Sequence, residues 1–248
     1  MCSKVVAGLS DDLTTGALMI SIALSFDSGI LFCAAAKNRV PTRMYSESTN
    51  IFSRQYGAES SDGCSIFLLS EPVDCNVAAV QYCEHALDIL QPAELTIDRM
   101  RATIENSLSE IYQRQAGVTM LVALYSSSDR QYSAFRTSGT ALKELSGYDC
   151  QGSAAYLGHY LIRDRYRALQ SMEALDLRSV FAIAAETLDG VRDFSEECAE
   201  CAEILVLYAN GCNSGVQRIW QGIRELPELG APGESSTGLN RHFDPQRI

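Results

Sequence analysis

No stretch of this sequence reaches the roughly 18 consecutive apolar residues that a bilayer span requires. Residues 5–9 are apolar but too few for a secretory signal, and Asp11 and Asp12 break the run. Positive charge is in short supply: 20 Lys and Arg stand against 31 Asp and Glu, a net charge of −11. That balance argues against nucleic acid or an anionic membrane as partner. Cysteine is present, but a disulfide pattern is not. The nine residues are odd in number and irregular in spacing, and Cys33, Cys64 and Cys83 fall inside apolar runs. They read as reduced core thiols, and a cytoplasmic location is expected. Metal ligands are scarce too. Cys198 and Cys201 have ligand spacing, yet no second pair lies nearby, and Cys212 is the one candidate third ligand. His85 and His159 fall on expected helices and read as surface or satisfied side chains. Neither a metal nor a cofactor is expected.

What is present is an ordinary globular composition, 46% apolar and 21% charged over 248 residues, enough for one domain with a sizeable core. The chain is organised around residues 18–38. Residues 18–25 alternate, with Met19, Ser21, Ala23 and Ser25 on one face and Leu18, Ile20, Ile22 and Leu24 on the other, which predicts a half-buried strand. Phe26-Asp27-Ser28-Gly29 reads as a tight turn with Gly29 as the permissive residue. Residues 29–36 are apolar throughout, as a strand covered on both faces would be.

Further strands are expected at 50–53, 65–70, 118–125, 131–136, 140–145 and 203–208, with a weaker one at 216–222 that holds the single Trp. Helices are expected from Asp74 to Pro92, from a Thr96 cap to Gly117, over 154–169 and over 172–191. On the third of these, Leu157, Tyr160 and Leu161 are read as inward, beneath an Arg-rich outer face. Residues 147–153 read as a loop. From Leu226 the chain is rich in Pro, Gly and Ser and reads as a flexible tail. Segregated runs of strands and helix pairs predict an α+β protein of two antiparallel sheets, each with a helix pair on its outer face.

A short strand, an Asp-x-Gly turn and a second strand ending in Cys33-Ala34-Ala35-Ala36 resemble the start of proteasome β-type subunits and their Anbu-type bacterial relatives. Gly152-Ser153 before the third helix fits the same pattern, and so does the whole element order. The resemblance implies a four-layer αββα Ntn-hydrolase sandwich over residues 18–225, with an extension at 1–17 and the tail at 226–248. It also implies a self-assembling homo-oligomer, a ring or a stack, with a protein or peptide as the further partner. The expected contact face is the apolar stripe of residues 77–90 and 97–111.

The resemblance further implies a site, and most of its chemistry is missing. The family nucleophile is an N-terminal Thr whose own amine is the general base. Counting back from the turn places that position at Leu18 or Met19, and neither carries a nucleophilic atom. The family Asp falls on Ala35 or Ala36, its Lys on Thr49 or Asn50, and its pocket Ser on Gln151. Asp193 is the one match to the later Asp-Ser element. A vestigial pocket of Met19, Ala35, Asn50, Gln151, Gly152 and Asp193 is therefore expected, in a catalytically degenerate structural or regulatory subunit. The alternative is an active N-terminal-nucleophile peptidase or amidase. It would use Cys2, freed by removal of the initiator Met, or else Thr15, with Thr14 beside it.

Overall fold

The computed structural model describes residues 20–36, 50–57, 62–70, 74–113, 117–172, 175–193, 201–208 and 217–220. Cys2, Thr14, Thr15, Leu18, Met19, Cys198 and Cys212 lie outside the described residues, as do the expected extension at 1–17 and the tail from 226. The strands are β1 (Ser21–Phe26), β2 (Gly29–Ala36), β3 (Ile51–Tyr56), β4 (Gly63–Leu69), β5 (Met120–Ser126), β6 (Gln131–Ser138), β7 (Ala141–Glu144), β8 (Tyr148–Gln151), β9 (Cys201–Tyr208) and β10 (Gln217–Trp220). The helices are α1 (Asp74–Asp88), α2 (Ile97–Tyr112), α3 (Ala155–Ser171) and α4 (Leu177–Asp193).

The strands form two five-stranded sheets, ordered β10-β9-β2-β1-β8 and β3-β4-β5-β6-β7. Every pairing is antiparallel. Period-two alternation decides what each strand buries, and on what. In β1, Ile22 and Leu24 pack with Ile162 and Tyr166 of α3 and with Val180 and Phe181 of α4. Ala23 points the other way and joins Phe32, Leu205, Ile66, Leu68 and Leu121 between the sheets. In β4 and β5, Phe67 and Val122 pack with Val80 and Leu87 of α1 and Ile104 and Leu108 of α2. Three cores result, one under each helix pair and one between the sheets.

This arrangement corrects several expectations. β1 is buried on both faces, not half-buried, because one face meets helices and the other meets the second sheet. The apolar stripe on α1 and α2 is not a contact face; Val80, Leu87, Ile97, Ile104 and Leu108 are spent on the protein's own sheet. Residues 148–151 are a strand rather than a loop, hydrogen-bonded to β1 with Ser21 opposite Gln151. Tyr160 is 68% exposed, and Ile162 and Tyr166 take the inward positions. Cys64 is in a disulfide rather than a free thiol. Gly29 is needed for space. A Cβ there would lie 2.1 Å from the Leu207 carbonyl oxygen, because β9 presses its backbone against the hairpin.

The fourth helix begins at Leu177, five residues later than expected, because Asp176 starts it. The Asp176 carboxylate accepts a hydrogen bond of 2.7 Å from the Ser179 N–H, the geometry of an N-cap. Hydrogen bonding from the Ser179 side chain and then its backbone holds the Asp176 carboxyl below the usual range. A depressed folded-state pKa means this stabilisation is present above the unfolded-state pKa and is lost as pH falls through the folded one. Asp176→Ala is therefore expected to cost about 1 kcal/mol at neutral pH. The gap from the parent protein should close as pH is lowered through the acidic range, read as urea midpoints across a pH series.

Candidate functional site

At one end of the two sheets, the ends of several strands come together. β1, β3, β5 and β9 begin there, and β2, β4 and β8 finish there. Strand ends leave backbone groups without ladder partners, and burial forces each to find another. The side chains that answer are Ser21, Asn50, Gln151 and Glu203, all buried.

Glu203 is 3% exposed. It sits on β9 opposite Ala34, with Ala202, Ile204 and Val206 directed at the helices. Its own side chain reaches across to the second sheet. Oε2 accepts hydrogen bonds from the backbone N–H of Asn50 at 2.6 Å and of Ile51 at 3.3 Å. Asn50 completes the exchange: its carboxamide N–H donates to the Ala35 carbonyl of the first sheet at 3.1 Å. Its own carbonyl accepts from the Leu69 N–H at 2.9 Å. One strand further along, the Ser21 hydroxyl donates to the Leu69 carbonyl at 2.9 Å. Beyond that, the Gln151 amide donates to the Met120 carbonyl at 3.2 Å. These bonds run as a polar seam from β9 to β8, tying one sheet to the other. The Gln151 carboxamide oxygen, Oε1, is buried in the seam without a hydrogen-bond partner.

The expected pocket residues divide accordingly. Ala35, Asn50 and Gln151 are brought together, and Gly152 follows Gln151 with φ +104, a backbone conformation that favours glycine. Asp193 is the last residue of α4 and is exposed, with no seam residue bonded to it. Ser21 and Glu203 were not foreseen. A lone acid inside the run Ala202 to Leu207 is a signal that finds Glu203, since a charged residue amid buried neighbours must be satisfied.

Three buried thiols, Cys33, Cys83 and Cys150, offer no ready nucleophile. Burial pushes Cys33 and Cys83 up to about 12, and raises Cys150 still further. No three His, Cys, Asp or Glu side chains gather as a metal site among the described residues.

Truncating the seam has an expected cost. Glu203→Ala strands two buried N–H groups, and about 2–3 kcal/mol of stability should be lost. Glu203→Gln keeps an acceptor oxygen and should recover more than half of that. Urea unfolding of both variants beside the parent protein measures the difference; equal losses would mean the carboxylate oxygens are not what holds Asn50.

No protein-family model matches this sequence, and no curated protein matches it. Solved structures do. Anbu from Hyphomicrobium sp. strain MC1 matches with a TM-score of 0.62 at 12% identity, over 81% of this chain and 87% of that one. Anbu, described as an ancestral beta-subunit, from Yersinia bercovieri matches at 0.59 and 11%, over 77% and 82%. The helical assembly of the Anbu complex from Pseudomonas aeruginosa matches at 0.61 and 8%, over 81% and 86%. At such identities the likeness is one of architecture: the chain has the fold of the Anbu-type, proteasome-like subunits.

Proposed function

We propose that this chain is a proteasome-like subunit whose hydrolytic site has been lost, and that it serves a structural or regulatory role in an assembly of its own copies. The subunit is read as a four-layer αββα sandwich, its three cores being the contacts between successive layers. The observation that carries the reading is the use made of the seam. Asn50 and Gln151 stand where the resemblance puts a catalytic Lys and a pocket Ser, and both donate to backbone carbonyls of the facing sheet. Ala35, at the Asp position, contributes only its backbone carbonyl to the seam, accepting from Asn50. A general base or a pKa-lowering cation needs free capacity at the reacting atom. Here that capacity goes into holding two sheets together.

Self-assembly enters by analogy with the helical assembly described for the Pseudomonas aeruginosa protein. The rival reading, an amidase or peptidase using Cys2 or Thr15, makes an opposite forecast for one measurement. Intact mass of the purified protein, before and after incubation with a peptide epoxyketone or vinyl sulfone, is expected to show no adduct and no chain starting at Thr14 or Thr15. An adduct mapped to Cys2 or Thr15, lost in Cys2→Ala or Thr15→Ala, would replace this reading with a hydrolase.

A further inference from the structure

Asp149 is 3% exposed and lies on β8, the edge strand of the first sheet. Its carboxyl is shared between two other layers of the molecule. Oδ1 accepts from the Cys150 N–H at 2.8 Å and lies 3.1 Å from His159 Nε2 of α3. Oδ2 lies 3.5 Å from Arg136 Nη1 of β6, in the second sheet. One buried carboxylate needs one cation; here two basic side chains converge on it, and both reach solvent, with 42% of the His159 side chain and 50% of the Arg136 side chain exposed. The carboxylate therefore sits behind the pair and fixes its direction. With Nε2 committed to Asp149, His159 has Nδ1 left for a ligand, and Arg136 has the donors Nε and Nη2 left.

The flank of α3 continues the charge. Arg163 and Arg167 follow His159 at four and eight residues, so the three basic side chains share one side of the helix. Tyr148, also on β8, lies against them: its ring centre is 5.8 Å from that of His159 and 5.2 Å from that of Tyr166. Burial raises the Tyr148 phenol, while the charges of Arg167 and Arg163 act against that rise, so both guanidiniums lie about the ring. Arg163 is paired with its neighbour Asp164 in an exposed contact, which a ligand can exchange at little cost. Four basic side chains thus gather around two carboxylates, Asp149 and Asp164, in a chain whose net charge is −11. We infer that the edge of β8 and the flank of α3 form an anion site for a small soluble phosphate monoester, its oxygens accepting from Arg136, His159 and Arg163, with Tyr148 as the wall beside it. Three donors arriving from a strand and a helix suit the three terminal oxygens of a phosphate. A carboxylate offers two oxygens in one plane and leaves a donor unmet. The inference goes beyond the structural reading of the chain and is independent of it, since neither the lost site nor assembly enters it.

The probes are inorganic phosphate and glycerol 3-phosphate, mixed with the full chain and followed by phosphorus NMR line width at constant ionic strength, which holds screening fixed. Saturable binding of both is expected. Arg136→Gln, His159→Gln and Arg163→Gln each keep a hydrogen-bonding side chain, and each should weaken binding about tenfold. Arg165→Gln removes the same charge from the same helix, but from a side chain paired with Glu186 of α4, and should change binding by less than about twofold. Melting temperatures without ligand establish that the variants are folded. Arg163 pairs only with exposed Asp164, so its substitution keeps the test open if Arg136→Gln or His159→Gln unfolds the edge. No saturable binding to the parent protein overturns the site. Equal weakening by Arg165→Gln and the other three variants would reduce the effect to net charge and overturn it as well. Co-sedimentation with vesicles containing phosphatidic acid, without binding of either soluble probe, would make this a lipid-headgroup surface and overturn the assignment to a soluble monoester.

Discussion

A buried carboxyl between two sheets constrains everything around it. Glu203 sits on the inner face of β9, where its neighbours Leu205 and Leu207 contribute to a dry apolar core. An acid in such a place is tolerable only where its oxygen is well hydrogen-bonded. The partners it takes are the backbone N–H groups of Asn50 and Ile51, at the entry to β3. That choice fixes the start of an edge strand against the opposite sheet. Asn50, so held, can turn its carboxamide to Ala35 and its carbonyl to Leu69. The relative placement of the two sheets at this end therefore depends on polar contacts with directional geometry, whereas farther along it rests on apolar packing, which tolerates more sliding.

The parts of the fold that were legible in the sequence are those where a period repeats or an apolar run is unbroken. The first hairpin strand shows a repeat of two and the stripe of α2 one of three and four, while residues 29–36, 65–70 and 118–125 are continuous apolar runs, and all form. The misreadings occur where periodicity cannot say which partner a face meets. The stripe on α1 and α2 is periodic whether it packs on the protein's own sheet or on another subunit, and only the position of the sheet decides. Tyr160 marks the same limit on α3, since an aromatic ring suits an inner or an outer surface. β8 was missed because Tyr148-Asp149-Cys150-Gln151 is short, polar and bounded by Gly147 and Gly152. Its strand character comes from pairing with β1, and Asp149 is buried there because Arg136 and His159 contact its carboxyl.

For the site, the sequence offered only local landmarks. Counting from the hairpin turn gave Ala35, the start of the next strand gave Asn50, and the Gly-Ser before α3 gave Gln151; in the structure Asn50 and Gln151 each bond to a backbone carbonyl of the facing sheet. Asp193 was matched through the short segment Arg192-Asp193-Phe194-Ser195 alone, without a strand to set its distance, and it lies exposed at a helix end. Glu203 was passed over because it was read as part of a strand, with the whole segment taken as apolar. Its partners are about 150 residues away in the chain, 153 for Asn50.

The two parts of the proposed reading, a lost site and a place in an assembly, have a common physical basis. Hydrolytic sites hold polar groups that are poorly satisfied in the resting state, and such groups cost stability. Where the chemistry is absent, nothing opposes substitutions that turn those groups inward onto the backbone. In the proposed reading Asn50, Gln151, Ser21 and Glu203 form such a seam, with the unpartnered Gln151 carboxamide oxygen as the point where satisfaction is incomplete. A subunit kept for its shape would retain selection on its outer surface instead. The buried side of α3 reads as ordinary helix–sheet packing, down to Gly158, where an added Cβ would meet Ile20 at 2.5 Å and the Cys150 sulfur at 2.9 Å. Its outer side keeps two solvent-facing tyrosines in register with two arginines. Solubility alone would favour charge at those positions over aromatic rings.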